Sequence, residues 1–180
     1  MSFARVRALV VVGALVVFAL IFVVFALVRD TQSGQSTANA CPEGWALANL
    51  TLREPKDVKI NVYNATDSAG LATSIAGDFA NRKFQVEKTG NDPLKKGIDG
   101  VAVLRYGPKA VGSAHLLRAY FLDEARPEYD PAREDDVVDV VIGTGFKQLA
   151  TTTEVNQSLV ELGGRPELPP QTCAAPADET

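Results

Sequence analysis

The chain has 180 residues with 18 Lys and Arg against 22 Asp and Glu, two cysteines and one histidine, for a formal net charge of −4. Three arginines and one aspartate fall in the first 30 residues, which leaves 15 basic against 21 acidic residues in the rest of the chain. An acidic body of this kind argues against nucleic acid, whose phosphates need clustered Lys and Arg, and against electrostatic docking onto anionic lipid heads.

The first predicted element is the unbroken apolar or small run Ala8–Val28, 21 residues long. At ~1.5 Å per residue it reaches ~31 Å, the thickness of a bilayer core. Arg5, Arg7 and the α-amino group precede it, whereas Arg29 is cancelled by Asp30. The cationic flank stays inside, so residues 1–7 are expected in the cytoplasm, 8–28 in the membrane and the remainder outside. A cleaved signal peptide is the competing reading, but its apolar region runs only about 7–15 residues and ends near a small-x-small site. Here Ala38-Asn39-Ala40 comes well after the run. Cys41 behind that site resembles a lipoprotein box, although polar residues precede it.

Residues 29–56 read as tether and lead-in: Thr31–Ala40 is small, polar and uncharged, and Cys41–Pro55 contains the single tryptophan, Trp45. A domain is expected over 57–147. Val58, Ile60 and Val62 alternate with polar residues as a half-buried strand. Asn64–Ser68 offers several N-caps to a helix whose apolar face is Leu71, Ala72, Ile75, Ala76 and Phe79. Phe84 and Val86 mark a second strand, and Gly90 begins a long loop carrying Lys95-Lys96. Val101, Val103 and Arg105 lie on a third strand. A second helix runs from about Lys109 to Glu124, with Ala110, Ala114, Leu117 and Phe121 on one stripe. A loop with two prolines leads to Val137–Ile142, a central strand. Residues 148–180 hold a short helix, about Glu154 to Leu162, and a proline-rich tail.

The order β-α-β-β-α-β is the split βαβ, ferredoxin-like pattern. The expected fold is therefore α+β: an N-terminal transmembrane helix, then a four-stranded sheet with both helices on one face.

Cys41 and Cys173 both lie outside the membrane by this topology and bracket the domain. In an oxidising compartment they read as a disulfide, the alternative being two free or intermolecular thiols. With His115 they are too few to build a zinc site, and no metal or cofactor is expected.

Val58-x-Ile60-x-Val62-Tyr63-Asn64-Ala65-Thr66, followed by Gly70-Leu71-Ala72, resembles the opening of the LytR C-terminal domain family (LytR_C), and Val140-Val141-Ile142-Gly143-x-Gly145-Phe146 resembles its close. With one N-terminal span and flanking cysteines, the chain is similar to single-pass actinobacterial envelope integrity proteins of the Cei type. The resemblance implies an extracytoplasmic role in cell-wall assembly or envelope integrity. The large catalytic domain that precedes this module in LytR-type ligases has no counterpart between tether and module, so transferase activity does not carry over.

Candidate chemistry is sparse. His115 falls off the apolar stripe of its helix, at the flank or exposed, and no Gly-x-Ser-x-Gly elbow accompanies it. The acids Asp123, Glu124, Glu128, Asp130, Glu134, Asp135, Asp136 and Asp139 read as a solvated stretch without calcium-loop spacing, and Lys95-Lys96 as solvated lysines. No catalytic residue is assigned. The turn Asn64, Ala65, Thr66, Asp67, Ser68 and Gly70 is the candidate binding site, because a strand running into a helix N-terminus presents free N–H groups; self-capping by Thr66, Asp67 or Ser68 is the other reading. The function expected is a non-catalytic, membrane-anchored module that binds an envelope protein or a wall glycan. A small envelope hydrolase or transferase is the alternative.

Overall fold

The computed structural model describes residues 41–175 and, of the N-terminal part, residues 3, 7, 12–13 and 15–23. Residues 12–13 and 15–23 are helical. Among the described residues no helix is long and apolar enough to cross a membrane, and much of the expected span at 8–28 lies outside them. From Cys41 onward the chain forms one compact unit.

Seven strands and three helices make up that unit. The strands are β1 (Ala46–Ala48), β2 (Lys59–Asn64), β3 (Gln85–Asn91), β4 (Ala102–Tyr106), β5 (Ala125–Tyr129), β6 (Val137–Ile142) and β7 (Thr172–Ala174). The helices are α1 (Leu71–Asn81), α2 (Val111–Tyr120) and α3 (Thr152–Leu162). Five strands form a mixed sheet in the order β3-β2-β6-β4-β5, and β1 pairs with β7 in a separate parallel ribbon.

The α+β class and the placement of both helices on one face hold. Val58, Ile60 and Val62, Ala102, Leu104 and Tyr106, and Val138, Val140 and Ile142 share one core with Ala72, Ile75 and Phe79 of α1 and Ala114 and Leu117 of α2. These are alternate positions on their strands, as the period of two requires. Aromatic edges close the centre: Phe79 meets Phe84 at 5.1 Å with planes 81° apart, the edge-to-face arrangement that ring quadrupoles favour. α3 lies against α2 and begins with a reciprocal capping box between Thr151 and Glu154.

The four-stranded, ferredoxin-like topology is corrected. In a split βαβ unit another strand lies between the two that a helix connects; here β2 pairs directly and in parallel with β3, and β4 directly and in parallel with β5. β6 joins the two βαβ units, parallel to β2 and antiparallel to β4. Within the five-stranded sheet the strand not anticipated is β5, Ala-Arg-Pro-Glu-Tyr, whose pattern of charge and proline reads as loop. Pro127 has no N–H to donate, which an edge strand tolerates, and β5 is at the edge.

The lead-in and tail are built into the same unit. β1 and β7 pair in register with Leu47 opposite Cys173, and Cys41 is bonded to Cys173 across 132 residues with the Cα atoms 5.8 Å apart. The lead-in also reaches α2: Gly112 N–H donates to Asn49 O at 3.0 Å and Asn49 N–H to Pro108 O at 2.8 Å. A Cβ on Gly112 would collide with the carbonyl of Thr51, so this contact requires glycine.

Candidate functional site

The turn at the end of β2 folds on its own side chains. Asn64, only 6% exposed, accepts at Oδ1 from Thr66 N–H at 2.9 Å and from Thr66 Oγ1 at 2.8 Å. Its Nδ2 donates to Ser68 O at 2.7 Å, and Ser68 N–H donates to Thr66 Oγ1 at 3.1 Å. This is an Asx turn, and it uses the Thr66 hydroxyl, one of the groups expected to cap the helix. The cap is instead Gly70, at φ 77° with no side-chain bond to the helix. Self-capping by Thr66, Asp67 or Ser68 is thereby corrected: Asn64 claims Thr66 and the Ser68 carbonyl, and the helix starts only at Leu71.

The fold brings to this turn two lysines that are distant in sequence. Residues 64–69 line a cleft of about 510 Å³ whose other wall is Asn91, Asp92, Lys95, Lys96 and Gly97. Asp92 N–H donates to Asn64 O at 2.8 Å and pins the second wall to the first. Lys95 sits at φ 51° in the left-handed region. Apart from Asp67, the residues of the first wall are small or uncharged, and Lys95 and Lys96 belong to the other, a pairing suited to carbonyl groups.

Asp92 anchors this cleft to a polar network on the face of the sheet away from the helices, beside a small buried cluster of Ile98, Val103 and Val141. Its side chain is 1% exposed, and Arg105 reaches it at 2.6 Å while also contacting Glu128 at 2.8 Å. Burial opposes charge on Asp92, but the Arg105 guanidinium and the Leu94 N–H outweigh it and hold the carboxyl below its ordinary range. Alongside, Arg133 meets Asp139 at 2.8 Å and Asp135 at 2.9 Å, and Asn61 Nδ2 donates to Asp139 Oδ1 at 2.7 Å. The acidic stretch is therefore not merely solvated. Asp136 pairs with Lys59 and Asp123 with Arg118, so its carboxylates clasp β2, β4, β6 and α2 from outside. Sequence reading missed this because Lys59 and Arg105, the partners of Asp136 and Glu128, are remote along the chain.

His115 is also corrected. It is 5% exposed, not flanking or open, because α3 and the turn after it cover that side of α2. Its Nε2 lies 2.9 Å from Gly163 O, a bond that ties the end of α3 to α2. Among the described residues no carboxylate bonds to the ring. Ser113, 4% exposed, is buried in the same helix. No group of three or more His, Cys, Asp or Glu among the described residues is placed to hold a metal.

A further cavity of about 300 Å³ lies between α2, β5 and residues 166–170, with Tyr106 and Tyr129 in its wall.

Comparison with known proteins agrees with this architecture. The model of the LytR_C family, described as LytR cell envelope-related transcriptional attenuator, matches residues 57–146. The cell envelope integrity protein Cei of Mycobacterium tuberculosis (strain ATCC 25618 / H37Rv) is 31% identical over 108 residues, which is 59% of this chain and 49% of that protein. The chain thus spans about half the length of the curated relative it matches. The crystal structure of the soluble domain of a conserved hypothetical secreted protein from Mycobacterium marinum aligns with a TM-score of 0.55 and 26% identity, covering 67% of this chain and 82% of that one.

Proposed function

The chain belongs to the LytR_C family, and from that membership we propose that it is a single-pass, extracytoplasmic module of the cell envelope that acts by binding and not by catalysis. In this reading Ala8–Val28 anchors it, residues 1–7 stay in the cytoplasm, and the unit from Cys41 onward meets its partner outside. An envelope role is in keeping with the name of the Cei relative. The observation that carries the binding reading is the cleft where residues 64–69 meet Lys95 and Lys96. It joins an open backbone wall to a cationic one, whereas His115, the one histidine, is spent on a backbone carbonyl.

The partner is an envelope protein in preference to a wall glycan. Sugar recognition uses aromatic faces, and Phe79, Phe84, Tyr120 and Phe121 are buried in the core, with none lining this cleft. Crosslinking with mass spectrometry on intact membranes tests the proposal, with Lys95 and Lys96 as natural amine handles. One stoichiometric protein crosslinked through them, and lost in Lys95→Glu/Lys96→Glu, is the expected result. Sedimentation with isolated wall and no protein crosslink would place glycan in the partner's role. Absence of both results, together with an unaltered envelope on deletion, would overturn the proposal.

A further inference from the structure

We infer that the channel between α2, β5 and residues 166–170 is a recognition groove for an extended, proline-containing peptide, over which the chain's own Pro166–Pro170 lies as a removable cover. This surface is separate from the lysine cleft, and the inference does not depend on that cleft's role. Its walls are Tyr106, Val111, His115, Arg118, Pro127 and Tyr129, and the segment Pro-Glu-Leu-Pro-Pro closes the remaining side. The rings of Tyr106 and Tyr129 stand 5.8 Å apart at 56°. Paired aromatic surfaces of this kind accept the flat rings of a polyproline II strand, which is already extended before it binds and so loses little freedom.

The chain's own segment occupies the groove imperfectly. About 300 Å³ remains between segment and wall, Leu168 is 46% exposed, and the buried hydroxyl of Tyr129 has no partner among the described residues. A polyproline II segment has no internal hydrogen bonds, so its carbonyls are the acceptors that such a phenol lacks. Three of the five cover residues are prolines, and without N–H groups they cannot extend the sheet from β5.

The cover is held at its ends and not along its length. Gly163 O is tied to His115 on one side. On the other, Thr172 Oγ1 donates to Pro169 O at 2.6 Å, β7 pairs with β1 and Cys173 is bonded to Cys41. Among the described residues no hydrogen bond joins 166–170 to α2 or β5. Opening the disulfide removes the covalent tie of the second clamp, leaving only the Thr172 hydrogen bond and the three-residue β1–β7 pairing there, and does not touch the five-stranded sheet.

The test uses the full-length chain in detergent, with and without dithiothreitol, which closes to its cyclic disulfide as Cys41–Cys173 becomes two thiols. The probe is a fluorescent peptide with the chain's own sequence Pro-Glu-Leu-Pro-Pro-Gln-Thr, and the control replaces its three prolines with alanine. The reduced chain should bind the probe at least ~10-fold more tightly than the oxidised chain, and the control should not bind. Amides of Glu167, Leu168 and Gln171 should exchange faster on reduction while those of β6 stay protected, which separates release of the cover from unfolding. A second variant, Pro166→Ala/Pro169→Ala/Pro170→Ala, loosens the cover with the disulfide intact and should also raise probe binding. A released cover with no probe binding, equal binding of the alanine control, or a cover that stays protected after reduction and in the triple variant would each overturn the inference.

Discussion

The carboxylate of Asp92 and the guanidinium of Arg105 meet at 2.6 Å on the face of the sheet away from the helices, with the Asp92 side chain 1% exposed. The pair joins the loop after β3 to the centre of β4 and sets one wall of the lysine cleft. Replacing Asp92 with Asn should destabilise the folded unit by about 3–5 kcal/mol, the range for breaking a buried pair, because Arg105 stays buried with only Glu128 to compensate. Urea denaturation at neutral pH measures it. The folded carboxyl titrates below its ordinary value of 3.8, so its stabilisation is present above that value and is lost as pH falls through the folded value. The stability difference between the native chain and Asp92→Asn should therefore shrink on acidification below about pH 4.

Gly112→Ala tests whether the lead-in is part of the domain. A Cβ there meets the backbone carbonyl of Thr51, which has no flexible end to yield. A loss of about 1–3 kcal/mol is expected, as for overpacking, with faster exchange at the Gly112 amide. A neutral result would mean that residues 49–51 do not hold α2.

Removing the disulfide by Cys41→Ser/Cys173→Ser should cost about 2–4 kcal/mol, since the bond closes a long loop. The loss should appear first as exchange in β1 and β7, which have only three residues each. Peptide mapping without reductant should recover the linked pair from native material.

His115→Ala removes the bond to Gly163 O and opens space beside the cover. It should lower stability by about 1–3 kcal/mol, as lost buried bonds do, while leaving the crosslinks through Lys95 and Lys96 intact. A folded, abundant variant that reproduced the deletion phenotype would favour the enzyme reading.

Topology is testable by reporter fusions after residue 40. An exported reporter should be active there and a cytoplasmic one silent. Mature protein beginning near residue 41 would replace the anchor with a cleaved leader.

The alternation of Val58, Ile60 and Val62, the apolar stripe Ala72–Phe79 and the run Val137–Ile142 were readable from sequence, because strand and helix periods follow from local backbone geometry. The disulfide was readable too, as two cysteines that bracket a domain with a single histidine have few other uses. Order within the sheet was not: alternation tells which face of a strand is buried but not which strand lies beside it. Thus β6 took the place between β2 and β4, and two direct βαβ units replaced the split pair.

β5 and the β1–β7 ribbon escaped for a related reason. Their stability comes from neighbours, since an edge strand bearing Pro127 and ribbon strands of three residues have too little pattern of their own. At the cleft, sequence singled out Asn64–Gly70 and Lys95-Lys96 separately, whereas the backbone bond from Asp92 to Asn64 made them two walls of one site. His115 was placed from its own helix alone, and α3 then buried it. Local periodicity determined the strands and helices that this protein forms; long-range contacts, which no local pattern encodes, decided their neighbours and the partners of each polar group.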